Sequence, residues 1–211
     1  MARYIGPLEK LSRREGINLY LKGKRSYTEK SALRKRNYIP GQHGRQKQKL
    51  TQYAMQLRSK QALKRMYGLM EKQFRNTFEE AERSPSGETG EVLMQLLERR
   101  LDSVVYQMGF APNRRTARQI VTHGHILVNG KKVNIPSYRV KVGDVIEVKE
   151  KSRNIQQVRE GLELVQEGYR NIPNWVNVEF ENYRGTFERL PNIDEMDVPV
   201  PLINIIELYS K

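Results

Sequence analysis

The sequence predicts an α+β protein: a basic extended N-terminal arm, a small helical domain, and an inserted helix-helix-β-hairpin module with a short antiparallel sheet. Three observations predict it. The first 48 residues show no sustained helical or strand period. From Leu50 onward, apolar residues recur at helical spacing. Asn129-Gly130 then stands between two short β-prone runs, a strong signal for a two-residue hairpin.

The arm, residues 1–48, alternates cations with Tyr20, Tyr27 and Tyr38, and "PGQHG" at 40–44 is turn chemistry. It holds too little apolar area to order itself alone and is expected to order on a partner. From Leu50 to Tyr67 the residues Tyr53, Ala54, Leu57, Ala62, Leu63, Met66 and Tyr67 form an interrupted stripe that Gly68 stops. Met70, Phe74, Phe78 and Ala81 predict a second, short helix, and "SPSGETG" at 84–90 a linker. A third helix is expected from Glu91 to Met108, with Leu93, Leu97, Leu101, Val104, Val105 and Met108 on one face. Asn113 is a good N-cap for a fourth helix over Arg114–Thr122, stopped by Gly124. After the hairpin, whose second strand Pro136 interrupts, "YRVKVGDVIEVKEK" reads as two more short strands around Gly143-Asp144. Ile155 to Glu167 reads as a helix, 172–192 has strand and turn character, and the chain ends in "PLINIIELYSK".

Charge says more than hydrophobicity. The net charge is +14, in blocks. Residues 1–60 carry +13 and 99–153 carry +8, whereas 61–98 carry −2 and 154–211 carry −5. Basic blocks of this size mark contact with a polyanion. Other chemistries are poorly served. With no cysteine, disulfides, thiol nucleophiles and thiolate metal sites are excluded. Three histidines are too few for a closed zinc site, and His123 and His125 flank a glycine with no carboxylate nearby in sequence. No P-loop and no G-x-S-x-G occurs, and spacing nominates no acid to orient a histidine base. No apolar run approaches the ~20 residues of a membrane span and the N-terminus has no secretory stretch, so a cytoplasmic protein is expected.

Nucleic acid remains. Arg114, Arg115 and Arg118 fall within roughly a 100° arc of the fourth helix, while Ala117, Ile120 and Val121 occupy another arc and face the core. Lys131 and Lys132 follow the hairpin turn, and Arg139, Lys141, Lys149, Lys151 and Arg153 extend the surface. Nothing resembles a helix carrying Asn or Gln base readers, so shape and phosphate recognition of folded RNA fits best.

At these residues the chain resembles a known family. "ERRLDSVVYQMGFAPNRRTARQIVTHGHILVNGKKVNIPSYRVKVGDVIEV", residues 98–148, is similar to the RNA-binding module named after small-subunit ribosomal protein four. "MARYIGP", "SRREGINLYLKG", "YIPGQHG", "QLRSKQALKRMYG", "EKQFRNTFEEA" and "IIELYSK" resemble the full-length bacterial-type ribosomal protein four family, in the same order. The resemblance implies a primary binder of small-subunit rRNA that nucleates assembly of the subunit body. It implies contact with small-subunit protein five that bears on decoding accuracy, proteins three and twelve nearby or functionally linked, and a place on the path by which messenger RNA enters. It implies a structural role without cofactor, metal, membrane or homo-oligomer, in cytoplasmic or organellar ribosomes. Four stretches are expected: 1–48 as arm, 49–98 as helical domain, 99–153 as RNA-binding module, and 154–211 packing on the helical domain and facing a protein partner. RNA contacts are expected from Arg3, Arg13, Arg14, Lys22, Lys24, Arg25, Arg34, Lys35, Arg36, Tyr38, His43, Arg45, Lys47, Lys49 and Arg58 of the basic N-terminal block. The module is expected to add Arg114, Arg115, Arg118, His123, His125, Lys131, Lys132, Tyr138 and Arg139. The histidine pair is read as turn and RNA-facing residues, with packing of one of them left open. Glu195, Met196, Asp197 and Tyr209 are expected to face protein five.

Some family members carry four N-terminal cysteines that hold a metal. The matching positions here are Glu9, Ser12, Ser26 and Ser31, so a metal-free arm is expected. The stretch "DEMDVPVPLINIIELYSK" is richer in proline than the family's usual C-terminus. Two rivals stand beside this reading. An RNA-modifying enzyme would need a separate catalytic domain of about 150 residues, and only about sixty follow the module. A regulator of messenger RNA needs none and could coexist. Replacing Arg114, Arg115 and Arg118 together by Glu is expected to weaken rRNA binding at least ~tenfold, read by filter binding.

Overall fold

In the computed structural model the chain is described over residues 4–46 and 49–210. It divides into two compact units: one holds the residues up to Leu93 together with those from Asp197, the other is Met94–Met196. In chain order the helices are α1 (Leu8–Glu15), α2 (Ala32–Lys35), α3 (Gln52–Met66), α4 (Glu71–Glu82), α5 (Thr89–Glu98), α6 (Leu101–Gln107), α7 (Arg114–Thr122), α8 (Gln156–Gln166) and α9 (Ile203–Tyr209). The strands are β1 (Ile126–Val128), β2 (Lys131–Lys132), β3 (Val145–Val148), β4 (Val176–Glu179) and β5 (Arg184–Phe187). The α+β class expected from the sequence is the class found.

In the first unit the arm has buried residues and local hydrogen bonds of its own. Leu8, Leu19 and Leu21 are buried, and short polar side chains do the rest. Ser12 Oγ accepts from the Leu19 amide at 3.4 Å, Ser26 Oγ accepts from the Lys22 amide at 3.1 Å, and the Asn18 amide group donates to the Ser26 carbonyl at 2.7 Å. Such local side-chain bonds satisfy backbone groups that a period-based reading leaves unaccounted for. The end of α1 is fastened to α3 by Glu15, whose side chain is 1% exposed and lies 3.3 Å from Arg58 and against Arg65. Burial pushes the Glu15 carboxyl above its usual range, and attraction from Arg65 and Arg58 offsets part of that.

Thr51 caps α3 by accepting from the Ala54 amide at 3.2 Å. Leu63, Met66, Phe74, Phe78 and Ala81 of α3 and α4 are buried, as their spacing requires. Helix α9 packs on α3, buries Ile205 completely, and places Tyr209 against Phe78 with ring centroids 4.5 Å apart. The Tyr209 hydroxyl donates to Glu71 Oε1 at 3.2 Å, and Lys60 and Lys64 donate to the same carboxylate at 2.6 and 2.8 Å. Partial burial disfavours the Glu71 anion, but the hydrogen bonds from Lys60 and Lys64 prevail and bring its pKa down to about 2.

In the second unit the expected helix 91–108 is two helices. Arg100 is extended (φ −67°, ψ 134°) and pairs with Arg139 in an isolated antiparallel bridge. The Leu101 amide donates to the Tyr138 carbonyl at 2.9 Å, and the Val140 amide to the Arg99 carbonyl at 2.8 Å. Residues 138–140, expected as a strand, spend their backbone on this helix break. Five strands form one sheet in the order β2-β1-β3-β5-β4, every neighbour antiparallel. Asn129 (φ 50°) and Gly130 (φ 75°) are both left-handed, the geometry of the tight turn that Asn-Gly predicts. Residues 154–196, expected on the helical domain, fall instead in this unit: β5 bonds to β3 with Val145 opposite Thr186, and β4 follows at the edge.

Truncating Ile205 to Ala should cost the first unit about 2–5 kcal/mol, because α9 has little other core. Denaturant unfolding of the full chain checks this.

Candidate nucleic-acid interface

The site is built on a buried ionic network that sets the direction of α7. Asn113 caps that helix, its side-chain oxygen accepting from the Thr116 amide at 2.9 Å. Arg114, expected on the RNA face, points inward and is 9% exposed. Its Nη2 donates to Glu98 Oε1 at 2.9 Å and its Nε to Ser103 Oγ at 3.2 Å. The guanidinium lies 4.6 Å from the centre of the Tyr106 ring. The second Glu98 oxygen accepts from Ser103 Oγ at 2.8 Å and from the Gln107 amide group at 3.1 Å. A second buried pair lies nearby in sequence: Arg100 grips Asp102 with two bonds, at 3.1 and 2.9 Å. Burial pushes the Asp102 carboxyl up, while Arg100 and then Arg118 draw it down.

The three arginines of one sequence arc are therefore split. Arg115 is exposed and Arg118 half-buried; with Gln119 and Thr122 they make the outward face of α7, opposite buried Ala117, Ile120 and Val121. That face ends at a corner. His123 is exposed, Gly124 turns the chain with φ 73°, and His125 is half-buried. A side chain at 124 would place its Cβ 2.2 Å from Lys132 Cε, so the glycine makes room for the lysine stem. His125 Nδ1 lies 2.8 Å from Ser152 Oγ, and the two imidazole centres are 6.0 Å apart. Burial lowers the His125 pKa, and His123, Lys149 and Lys132 lower it further. One corner thus gathers His123, His125, Lys132 and Lys149, with Lys131 exposed beside them on β2.

Other expected contacts divide in the same way. Arg139 donates to the Leu96 carbonyl in the last turn of α5, while Tyr138 is half-buried. Arg58 is committed to Glu15. Arg13 shares its Nε between the Arg36 and Tyr38 carbonyls, both at 3.1 Å, and lies over the Tyr38 ring. Each of these three half-buried side chains also fastens the fold. Arg14, Lys22, Lys24, Arg25, Arg34, Lys35, Arg36, His43, Arg45 and Lys49 are exposed. Of these, Arg25 also bonds the Lys30 carbonyl, Arg34 pairs with Glu29, and Arg45 lies over Tyr38. Arg3 and Lys47 lie outside the described residues.

At the expected protein-facing end, Met196 is buried and Tyr209 packs on Phe78, because each completes a core of its own unit. Glu195 pairs with Arg189 at 2.6 Å, and Asp197 is exposed. Glu9, Ser12, Ser26 and Ser31 line one small cavity of about 10 Å³ with Asn18 and Lys22. Among the described residues no group of three or more His, Asp or Glu side chains is placed to hold a metal ion, and no helix is long and apolar enough to cross a membrane. The partner of His125, Ser152, carries no signal in the sequence.

Glu98→Ala should cost the second unit about 3–5 kcal/mol, since it strands a buried guanidinium. Arg115→Ala should change stability by less than about 0.5 kcal/mol. Urea unfolding of the two variants checks the contrast.

Comparison with known proteins gives two matches in tandem. Residues 3–98 match the ribosomal protein S4/S9 N-terminal domain and residues 99–146 the S4 domain. The chain is 96% identical to the small ribosomal subunit protein uS4 of Petrotoga mobilis. It is 59% identical to the protein of that name from Kosmotoga olearia and 56% to that from Thermotoga maritima. In each case the match covers 100% of both chains.

Proposed function

The chain belongs to the uS4 family of small ribosomal subunit proteins, and from that premise we propose that it is a structural constituent of the small subunit that binds its rRNA and holds RNA helices at one junction geometry during assembly. It is not an enzyme: the work is binding energy. The observation that carries the reading is the cationic track on the second unit, from Arg115 along the outward face of α7 to the corner of His123, Lys132 and Lys149. Phosphates are recognised by cations held at fixed spacing, and each neutralised phosphate releases counterions. The buried pairs beneath α7 supply that fixity. The exposed cations of the arm, among them Arg14, Lys22, Lys35, Arg36 and Lys49, form a second handhold.

Three finer statements belong to the same proposal. The acidic stretch 154–211 favours a protein neighbour over RNA, because like charge repels phosphate; small-subunit protein five is the proposed neighbour, met through groups such as Asp197, Glu195 and the half-buried Tyr209, with Met196 buried. That contact is proposed to bear on decoding accuracy. The cationic surface is proposed to flank the path of incoming messenger RNA, in cytoplasmic ribosomes.

The double substitution Arg115→Glu with Lys132→Glu should weaken binding to small-subunit rRNA at least ~tenfold and lower the slope of log K against log salt by about 1.4–1.8. Filter binding across a salt series, with circular dichroism as the folding control, decides it. Wild-type affinity in the folded variant contradicts the proposed track.

A further inference from the structure

The corner between α7 and β1 combines features that simple charge counting does not reveal. His125 is half-buried, its Nδ1 is bonded to the buried Ser152 hydroxyl at 2.8 Å, and the charged groups acting on it are His123 from the end of α7, Lys132 from β2 and Lys149 from the end of β3. All three are positive or become so on protonation. We propose that this corner is a phosphate-binding site that takes up a proton as the RNA backbone docks, an inference that rests on the rRNA binding proposed above.

The chemistry follows from the neighbours. In the neutral ring, the Ser152 hydroxyl donates to a bare Nδ1, or accepts from Nδ1–H; in the protonated ring it accepts. Rotation of one hydroxyl hydrogen serves both states, so no backbone movement accompanies protonation. In the free chain, burial first and then His123, Lys149 and Lys132 disfavour the charged form of His125. A phosphate oxyanion arriving between His123, Lys132 and Lys149 reverses the local potential. The imidazole then gains a proton from solvent, and an extra positive charge faces the phosphate.

The sign is fixed by linkage. The free chain holds the His125 pKa below its ordinary value and the complex raises it, so the complex binds more protons than its separated parts. Affinity for RNA therefore rises as pH falls through the ordinary histidine range, by up to ~tenfold per pH unit for each proton taken up. For the free chain the sign is opposite: the depressed pKa adds stability above the unfolded value, and that stability is lost as pH falls through the folded one.

The test uses the full chain and deproteinised small-subunit rRNA, with affinities measured at about pH 8 and about pH 6. Protonation of the RNA itself is common to all proteins compared. The wild type should gain at least ~fivefold more affinity on acidification than His123→Gln/His125→Gln. His125→Gln alone removes the ring that gains the proton and should match the double variant; it keeps the test sound if the double variant does not fold. Calorimetry of the wild type in two buffers of different ionisation heat, at about pH 6.5, should show greater proton uptake than His125→Gln. Equal pH slopes and equal uptake for wild type and variants overturn the proton site while leaving rRNA binding standing. Loss of wild-type binding at both pH values sinks the rRNA reading itself.

Discussion

Glu98 is a carboxylate with 3% of its surface in solvent, and the second unit is arranged to answer it. A charge removed from water must be paired or it forfeits several kcal/mol. Arg114 pairs it, Ser103 and Gln107 fill its other lone pairs, and Tyr106 stacks beneath the guanidinium. Because Glu98 ends α5, Ser103 and Tyr106 lie on α6, and Arg114 opens α7, one ionic contact registers three helices. Arg170 adds a second guanidinium 3.9 Å from the Tyr106 ring centre and bonds the carbonyls of Tyr106 and Ala111. The outward direction of Arg115, Arg118 and His123 is a consequence of that inward pairing. Removing one partner of such a buried pair costs far more than the intact pair adds over apolar packing.

Much of this was legible in the sequence, and the failures share a cause. The caps and turns read correctly wherever the relevant bonds are local: Asn113 before α7, Asn129-Gly130 in the hairpin, Gly124 at the corner. The stripe Phe74, Phe78 and Ala81 of α4 was legible because that helix buries one face. In α3, by contrast, Tyr53 of the stripe is exposed and Gln56 and Ser59 are buried instead. In α8, Gly161 and Leu164 join Val158 in place of Leu162 and Val165. The break at Arg99-Arg100 was not, because the groups that cause it lie near residue 139, and the apolar period continues across the break undisturbed. Arg114 was misread for the same reason. Its position on the helical wheel is that of a surface cation, and its partner is 16 residues earlier in the chain. The joining of residues 176–187 to β3 also depends on a pairing no local pattern encodes.

The count of 38 lysines and arginines therefore overstates the cations offered to RNA. Arg13, Arg58, Arg65, Arg100, Arg114 and Arg139 each hold a carbonyl or carboxylate of the protein itself. Arginine is suited to this: its planar fork satisfies several acceptors at once and stays charged when half-buried. Most of the lysines assigned to RNA remain at the surface. The two basic side chains do different work in this chain, and lysine contributes proportionally more to what a polyanion meets.

The serine-lined cavity near α1 has a consequence of its own. Family members with four cysteines there tie the first residues of the chain to the supply of a metal and to the oxidation state of their thiols. Here Ser12 and Ser26 close the same region with hydroxyl-to-amide bonds. With no thiol among them, these residues offer no group for disulfide or thiolate chemistry.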